Sequence, residues 1–343
     1  MTELTFQTFT RLHGMLKELY DMKSIVDLRS IGGGFTTENF IFSDGRGTFF
    51  LKRYNTTDTR RIHDIASAYD RFARGGIPVI QPIKTNQGES CFFLDDAWWG
   101  VFPFVDGNSR QSKELTFNEV GELGRMLGHI HRVGQSCPKN DIQPMALWNK
   151  EIFTSEKHLL EYAFEHLENP REVDAMAIGN IRIQDSFLTQ HAVFMANLRP
   201  ANDCLIHGDF THNNIFWDTS GRIHAVFDLD KTCVASRAYE LARSTLIICF
   251  DHAWNKTSFA LAQAFIQSYL TTHPMDFEEF RTGLDIYIAN YMHMTWLERK
   301  IILNKSLRHE EILRSSQMRV NHLATEFETL AERLFPPNNR HNR

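Results

Sequence analysis

The stretch "LIHGDFTHNNIFWD", residues 205–218, sets Asp209 five residues before Asn214, and Asp228 follows the apolar run "HAVF" after a turn. If the intervening strands form a hairpin, two carboxylates and one amide converge. Hard cations such as Mg²⁺ take oxygen ligands, commonly one or two from protein carboxylates or amides and the rest from phosphates and water. Asn214 and Asp228 suit that role, which leaves Asp209 to accept a proton from an attacking hydroxyl. Two other readings compete. His207, Asp209 and His212 offer a histidine and aspartate metal site, although no HExxH spacing accompanies them. Taken singly, Asp209 and Asn214 are also good turn or cap residues, because their side chains bond nearby backbone amides.

The elements that must hold these residues are short. "CLIHGD", "NIFWD" and "IHAVFDLD" are β-rich pieces separated by turns such as Ser220-Gly221, so the polar residues fall on loops. Upstream, Gly32-Gly33-Gly34 predicts a glycine loop between two strands, and Asp44-Gly45 predicts a hairpin. In the strand expected over 48–54, period-two alternation puts Phe50, Lys52 and Tyr54 on one face. One helix follows over 59–74, closed by Gly75-Gly76, then strands over 90–94 and 98–105. These first hundred residues read as a small sheet with one helix. From residue 115 the period becomes helical, over 117–133, 151–168, 171–197, 257–272, 276–305 and 308–334.

With these motifs in order, the chain resembles the aminoglycoside phosphotransferase and choline kinase family, which includes homoserine kinase type II-like enzymes and belongs to the protein-kinase-like superfamily. His207-Gly208-Asp209 with Asn214, then "VFD" at 226–228, is similar to the catalytic and metal loops. "GGGFTTENF", "FFLKRY", "GGIPV", "VFPFVDG" and "ELGRMLGHIH" resemble the nucleotide loop, the lysine strand, the boundary after the first helix, the hinge and the opening helix of the second lobe. The resemblance covers roughly residues 28–250 and implies an ATP- and Mg²⁺-dependent kinase acting on a small-molecule hydroxyl. It implies Asp209 as the base, Asn214 and Asp228 as metal holders, and Lys52 as the phosphate-binding charge. It further implies Gly33 and Gly34 as close backbone approaches to the phosphates, and adenine contacts from the backbone around Phe104. Asp230 is implied as an anchor or second-metal residue, and His207 as a brace of the catalytic loop. The family also places a glutamate on the first helix to pair with Lys52, where this chain offers only Asp64 and Asp70. Glu240 stands where the family has aspartate, in a structural role. A protein serine/threonine kinase of the same superfamily is the alternative, but "LDKTCVASR" is short for a peptide-docking segment. A non-catalytic nucleotide-binding scaffold is the other.

The expected fold is therefore α+β and two-lobed: a small β-rich nucleotide-binding lobe (1–101), a hinge (102–107), a larger mainly helical lobe (108–336) and a disordered tail (337–343). With 343 residues, 42% of them hydrophobic, the chain can bury two cores. A formal net charge of -5 with scattered basic residues argues against nucleic acid or an anionic membrane as partner. Five cysteines without a CxxC pair argue for reduced thiols, and the charged N-terminal stretch lacks a signal-peptide core, so cytoplasmic residence is expected. For the acceptor, Glu161, Glu165 and Glu168 on one helix face, with Asp276, Glu278 and Glu279, favour an amine-bearing hydroxyl compound, although a solvated face has the same pattern. Tyr291, Trp296 and Glu298 are further candidates to line the acceptor cleft.

Overall fold

The computed structural model describes residues 6–31, 38–137 and 141–339. In chain order it begins with α1 (Phe6–Tyr20), β1 (Val26–Ile31), β2 (Glu38–Asp44), β3 (Gly47–Arg53), α2 (Thr59–Arg74), β4 (Phe92–Leu94) and β5 (Ala97–Pro103). It continues with α3 (Phe117–Gly134), α4 (Lys150–Glu165), α5 (Glu172–Gln190), α6 (Ala192–Asn197), β6 (Cys204–Ile206), β7 (Ile215–Trp217), β8 (Ile223–Val226) and β9 (Cys233–Ala235). The last helices are α7 (Arg237–Phe250), α8 (Lys256–Thr272), α9 (Phe277–Met292), α10 (Trp296–Ile302) and α11 (Glu310–Leu334). These elements group into two units, each assembled from separated segments. One comprises Met1–Ser109, Asn140–Gln143 and Asn214–Thr232, and the other holds the rest. A single boundary at 102–107 does not describe this grouping, because Asn214–Thr232 packs with the first unit.

In the first unit the sheet runs in the order β1-β2-β3-β5-β4, with every neighbouring pair antiparallel. The β2–β3 hairpin pairs Asp44 with Gly47, so Gly45 and Arg46 form the two-residue turn. Phe40, Phe42, Leu51, Trp99 and Val101 bury one face of the sheet together with Leu12 and Leu16 of α1. The first unit thus contains two helices rather than the one expected. Leu12 and Leu16 lie one turn apart and present a single apolar stripe to the sheet. Helix α2 starts where the Asp58 side chain accepts the Arg60 amide and stops at Gly75. The β7–β8 ladder joins Ile215 to Val226, and Val226 accepts and donates backbone hydrogen bonds with Ile80 and Pro78.

The second unit is built on helix pairs. Contacts between α3 and α8 and between α7 and α9 are made at glycines. A Cβ at Gly124 would lie 2.2 Å from the Phe265 carbonyl oxygen, and one at Gly283 would lie 2.3 Å from the Ala238 carbonyl carbon. Two long helical patterns are interrupted. The span 276–305 breaks after Met292, where the Gln184 side chain donates to the Met294 carbonyl at 2.9 Å and His293 Nδ1 reaches the Ala289 carbonyl at 2.7 Å. The span 171–197 breaks at His191, whose Nδ1 lies 2.9 Å from the Phe187 carbonyl. The five cysteines are free, and three of them are buried. Pro337–Asn339 form a short 3₁₀ turn, and residues 340–343 of the expected tail lie outside the described residues. No described helix is long and apolar enough to cross a membrane.

Glu298 on α10 is buried and accepts a hydrogen bond from the Asn180 side chain at 3.1 Å. Burial pushes its carboxyl up to about 7, with the Asn180 hydrogen bond opposing the shift. A carboxyl raised in the folded state favours folding below its ordinary value and loses that contribution as pH rises through 7. Glu298→Gln is therefore expected to stabilise the protein at pH 8 by up to about 3 kcal/mol and to leave stability at pH 4 unchanged, measured by urea denaturation.

Candidate active site

Lys52 is the electrostatic centre of the first unit. It sits on β3 between Leu51 and Arg53, pairs across the sheet with Gly100, and is 4% exposed. Its Nζ lies 2.7 Å from Asp228 Oδ1 and 2.7 Å from Asp230 Oδ1, and 5.5 Å from the centroid of the Tyr54 ring. Burial works against the ammonium, but Asp230 and then Asp228 outweigh it and raise its pKa. Burial raises the Asp230 carboxyl, opposed by Lys52. The carboxylates that meet this lysine come from the "DLD" segment instead of from α2. On α2, Asp64 accepts the Gln143 amide at 3.0 Å, and Asp70 lies 3.8 Å from Lys84. The helix contributes a cation instead. The Arg61 guanidinium donates to the carbonyls of Thr232, at 2.5 Å, and Asp230.

Backbone geometry explains how Asp228 and Asp230 both reach Lys52. The strand β8 ends at Val226, so the two aspartates lie beyond it and do not share a strand face. Asp228 takes a left-handed conformation at φ 66°, which aspartate tolerates better than most residues, and Leu229–Lys231 form a 3₁₀ turn. Asn214 is brought beside them by the β7–β8 hairpin, in which the Phe227 amide donates to the Asn214 carbonyl at 3.1 Å. One lysine facing two carboxylates leaves a net negative charge beside the Asn214 amide. This oxygen-rich donor set fits a hard divalent cation. The Phe104 amide donates to the Thr48 carbonyl at 3.3 Å and its side chain is exposed. Gly33 and Gly34 lie outside the described residues.

Asp209 belongs to the second unit, on the turn after β6. Gly208 adopts φ 82°, which favours glycine, and the turn is clamped from α7. Glu240 accepts the His207 amide at 2.9 Å through Oε2 and the Gly208 amide through Oε1. The same carboxylate meets His131 Nε2 at 2.9 Å, and His131 Nδ1 faces the Tyr269 hydroxyl at 2.9 Å. One turn further along α7, Arg243 Nη2 donates to Asp209 Oδ1, and the Ser244 hydroxyl donates to the Phe210 carbonyl at 2.8 Å. His207 Nδ1 accepts the Asp209 amide at 3.2 Å. His212 is buried and lies apart from these contacts, and no described group of three or more His, Cys, Asp or Glu side chains is arranged to hold a metal. Arg61, Arg243 and Ser244 did not stand out in the sequence. The i, i+3, i+4 spacing of Glu240, Arg243 and Ser244 in an apolar helix was the available signal for two of them.

The other acceptor candidates separate. Glu165 and Glu168 are exposed and Glu161 is half-buried, so this helix face is largely solvated. Glu298 is packed in the core described above, and Trp296 is 40% exposed against His309. The Tyr291 hydroxyl lies 3.0 Å from Ser316 Oγ, and the Arg319 guanidinium stands 5.6 Å from its ring centroid.

Burial disfavours the Glu240 charge, yet the hydrogen bond from His131 and the positive fields of His131, His207 and Arg243 hold its carboxyl below the ordinary range. A depressed carboxyl stabilises the fold above its ordinary pKa and loses that contribution as pH falls through its folded value. Glu240→Gln turns an amide NH₂ toward backbone donors and is expected to cost on the order of 3 kcal/mol at pH 7. The difference from the parent chain should shrink below about pH 4, read from thermal unfolding across pH.

Comparison with known proteins agrees with this arrangement. The model of the phosphotransferase enzyme family matches residues 27–278. A homoserine kinase of Burkholderia lata is 21% identical over 293 residues, covering 82% of each chain. One of Caulobacter vibrioides is 22% identical over 264 residues, covering 75% of this chain and 76% of that protein. Among solved structures, an amicoumacin kinase in complex with AMP-PNP, Ca²⁺ and its substrate superposes with a TM-score of 0.67 at 14% identity, covering 91% of this chain and 92% of that one. A spectinomycin phosphotransferase with ADP and spectinomycin also gives 0.67, at 17% identity, covering 95% and 98%. The small antiparallel sheet and the larger helical part are those of the α+β protein-kinase-like fold. The chain belongs to the phosphotransferase enzyme family.

Proposed function

We propose that this small-molecule phosphotransferase moves the γ-phosphoryl of ATP in line onto the hydroxyl of a small, amine-bearing compound. The observation that carries the reading is Lys52, buried and held at 2.7 Å by both aspartates of the "DLD" segment. That arrangement stores a cation where nucleotide phosphates need one and keeps two carboxylates beside it. Asn214 and Asp228 are the residues that would hold Mg²⁺, which when bound neutralises phosphate charge. Lys52 would exchange a carboxylate for a phosphate oxygen, and Asp230 keeps it from leaving the site. Asp209 orients the acceptor hydroxyl and takes its proton as the new oxygen–phosphorus bond forms and the bridging oxygen leaves with ADP. Glu240 and His207 fix the turn that aims Asp209, which matters because phosphoryl transfer relies on positioning and charge.

The amine preference rests on the relatives. Homoserine is the named substrate of several curated ones, and an aminopropanol kinase and an ethanolamine kinase share the fold. A protein substrate is disfavoured by the interval between Asp228 and α7. A 3₁₀ turn and β9, the latter paired to β6, occupy most of those eight residues. Adenine binding by the backbone around Phe104, phosphate binding by Gly33 and Gly34, and cytoplasmic residence belong to the same proposal.

Asp209→Asn is expected to lower turnover at least about 10³-fold while leaving ATP affinity within about threefold, measured by ADP release and by nucleotide titration. Lys52→Ala should lower kcat/KM for ATP by about 10²-fold or more. Retained turnover in Asp209→Asn, or absence of Mg²⁺-dependent ADP formation with every acceptor in a panel of amino alcohols, hydroxy amino acids, aminoglycosides and sugars, would overturn the reading.

A further inference from the structure

We propose that the acceptor carries a carboxylate as well as its hydroxyl, and that Arg243, Tyr287 and Arg319 form the subsite that receives it. This inference rests on the kinase reading and names its substrate class. All three residues belong to the second unit, as does Asp209. Arg243 on α7 donates one arm to Asp209, while its Nη1 is buried with no hydrogen-bond partner. Tyr287 on α9 is 4% exposed, and its hydroxyl is likewise buried without a partner. Arg319 on α11 is 9% exposed; its guanidinium hydrogen-bonds the Tyr291 side chain and approaches Asp251 to 3.9 Å, and its Nε is buried without a hydrogen-bond partner.

Ring contacts link the three helices that carry these donors. The Tyr287 ring stands 6.2 Å from that of Tyr239, one turn before Arg243 on the same face of α7. It stands 5.7 Å from the ring of Tyr291, against which the Arg319 guanidinium lies. Tyr239 and Tyr291 are already occupied, the first by Asn290 at 3.3 Å and the second by Ser316 at 3.0 Å. Tyr287 is left between two guanidiniums, both of which act on it electrostatically.

The chemistry that satisfies this set is an acceptor-only, negatively charged group. A carboxylate supplies two oxygens and about four lone-pair directions, and it matches guanidinium geometry. An ammonium brings only more donors to a set of groups that already lack acceptors, and a neutral hydroxyl cannot accept from all three groups. The contact between Arg243 and Asp209 ties this subsite to the proposed base, so one small molecule would place its acid on the arginines and its hydroxyl at Asp209. A hydroxy acid or hydroxy amino acid has that form, whereas an amino alcohol lacks the group the arginines select.

The test compares linear ω-hydroxy α-amino acids with the matching amino alcohols and the matching amides, using the full-length protein with ATP and Mg²⁺ and reading ADP release. The carboxylate-bearing acceptors are expected to show KM values at least about 100-fold lower than both analogues, because a site built of buried donors rejects a ligand that leaves them unpaired. Arg319→Gln should raise KM for the carboxylate acceptor at least about tenfold, with kcat and the KM for ATP changed less than threefold, and should leave use of the amino alcohol unaltered. Tyr287→Phe, which removes one oxygen and conserves the packing, should shift KM in the same direction by about three- to tenfold. Equal use of acids and amino alcohols, or equal losses on both in Arg319→Gln, would overturn the carboxylate subsite and leave the kinase reading standing. A loss confined to ATP binding in Arg319→Gln would assign the arginines to the nucleotide's phosphates and also overturn it. No Mg²⁺-dependent ADP formation with any acceptor would overturn both.

Discussion

The first unit depends on one buried cation. Lys52 is almost fully removed from solvent, and an ammonium in that position is tolerable only because Asp228 and Asp230 each approach it to 2.7 Å. The pairing dictates much of the surrounding backbone. It draws Asp228 into a left-handed conformation, closes the chain after it into a 3₁₀ turn, and leaves two carbonyls of that segment for Arg61 of α2. Helix α2 supplies an arginine to this segment, and the carboxylates that meet Lys52 come from Asp228 and Asp230.

The second unit uses the inverse arrangement, a buried anion. The Glu240 carboxylate gathers the amides of His207 and Gly208 and the ring of His131. The turn that carries Asp209 is thus fixed through its backbone, while the Asp209 carboxylate accepts from Arg243. Glu240 reaches two consecutive amides and a histidine from one helix position. Rigid positioning of this kind is what a transfer with little covalent chemistry requires.

How much of this was legible in the sequence varied with the range of the interaction. Strands β2 to β5, the hairpin at Asp44, helix α2 and most of the later helices follow from local alternation, caps and glycines. Helix α1 is not among the elements expected from the sequence, although Leu12 and Leu16 carry its apolar stripe. The breaks at His191 and after Met292 were invisible. Side chains distant in sequence or one turn back satisfy the freed carbonyls, while the apolar period runs on. The family and the fold were readable because motifs recur in order at set distances.

By itself the sequence carried the α+β fold and the phosphotransferase family through motifs standing in order at set distances, and that resemblance singled out Asp209, Asn214, Asp228 and Lys52 as the candidate residues. Only the tertiary structure decided how Lys52 is neutralised, that Asn214 and Asp228 pack with the sheet while Asp209 belongs with the helices, and that Arg243, Tyr287 and Arg319 leave buried donors unpaired. The reason is physical. Propensity and periodicity act over a few residues, whereas the partner of a buried charge is set by which segments burial brings within about 3 Å, and here those segments are up to 178 residues apart in the chain.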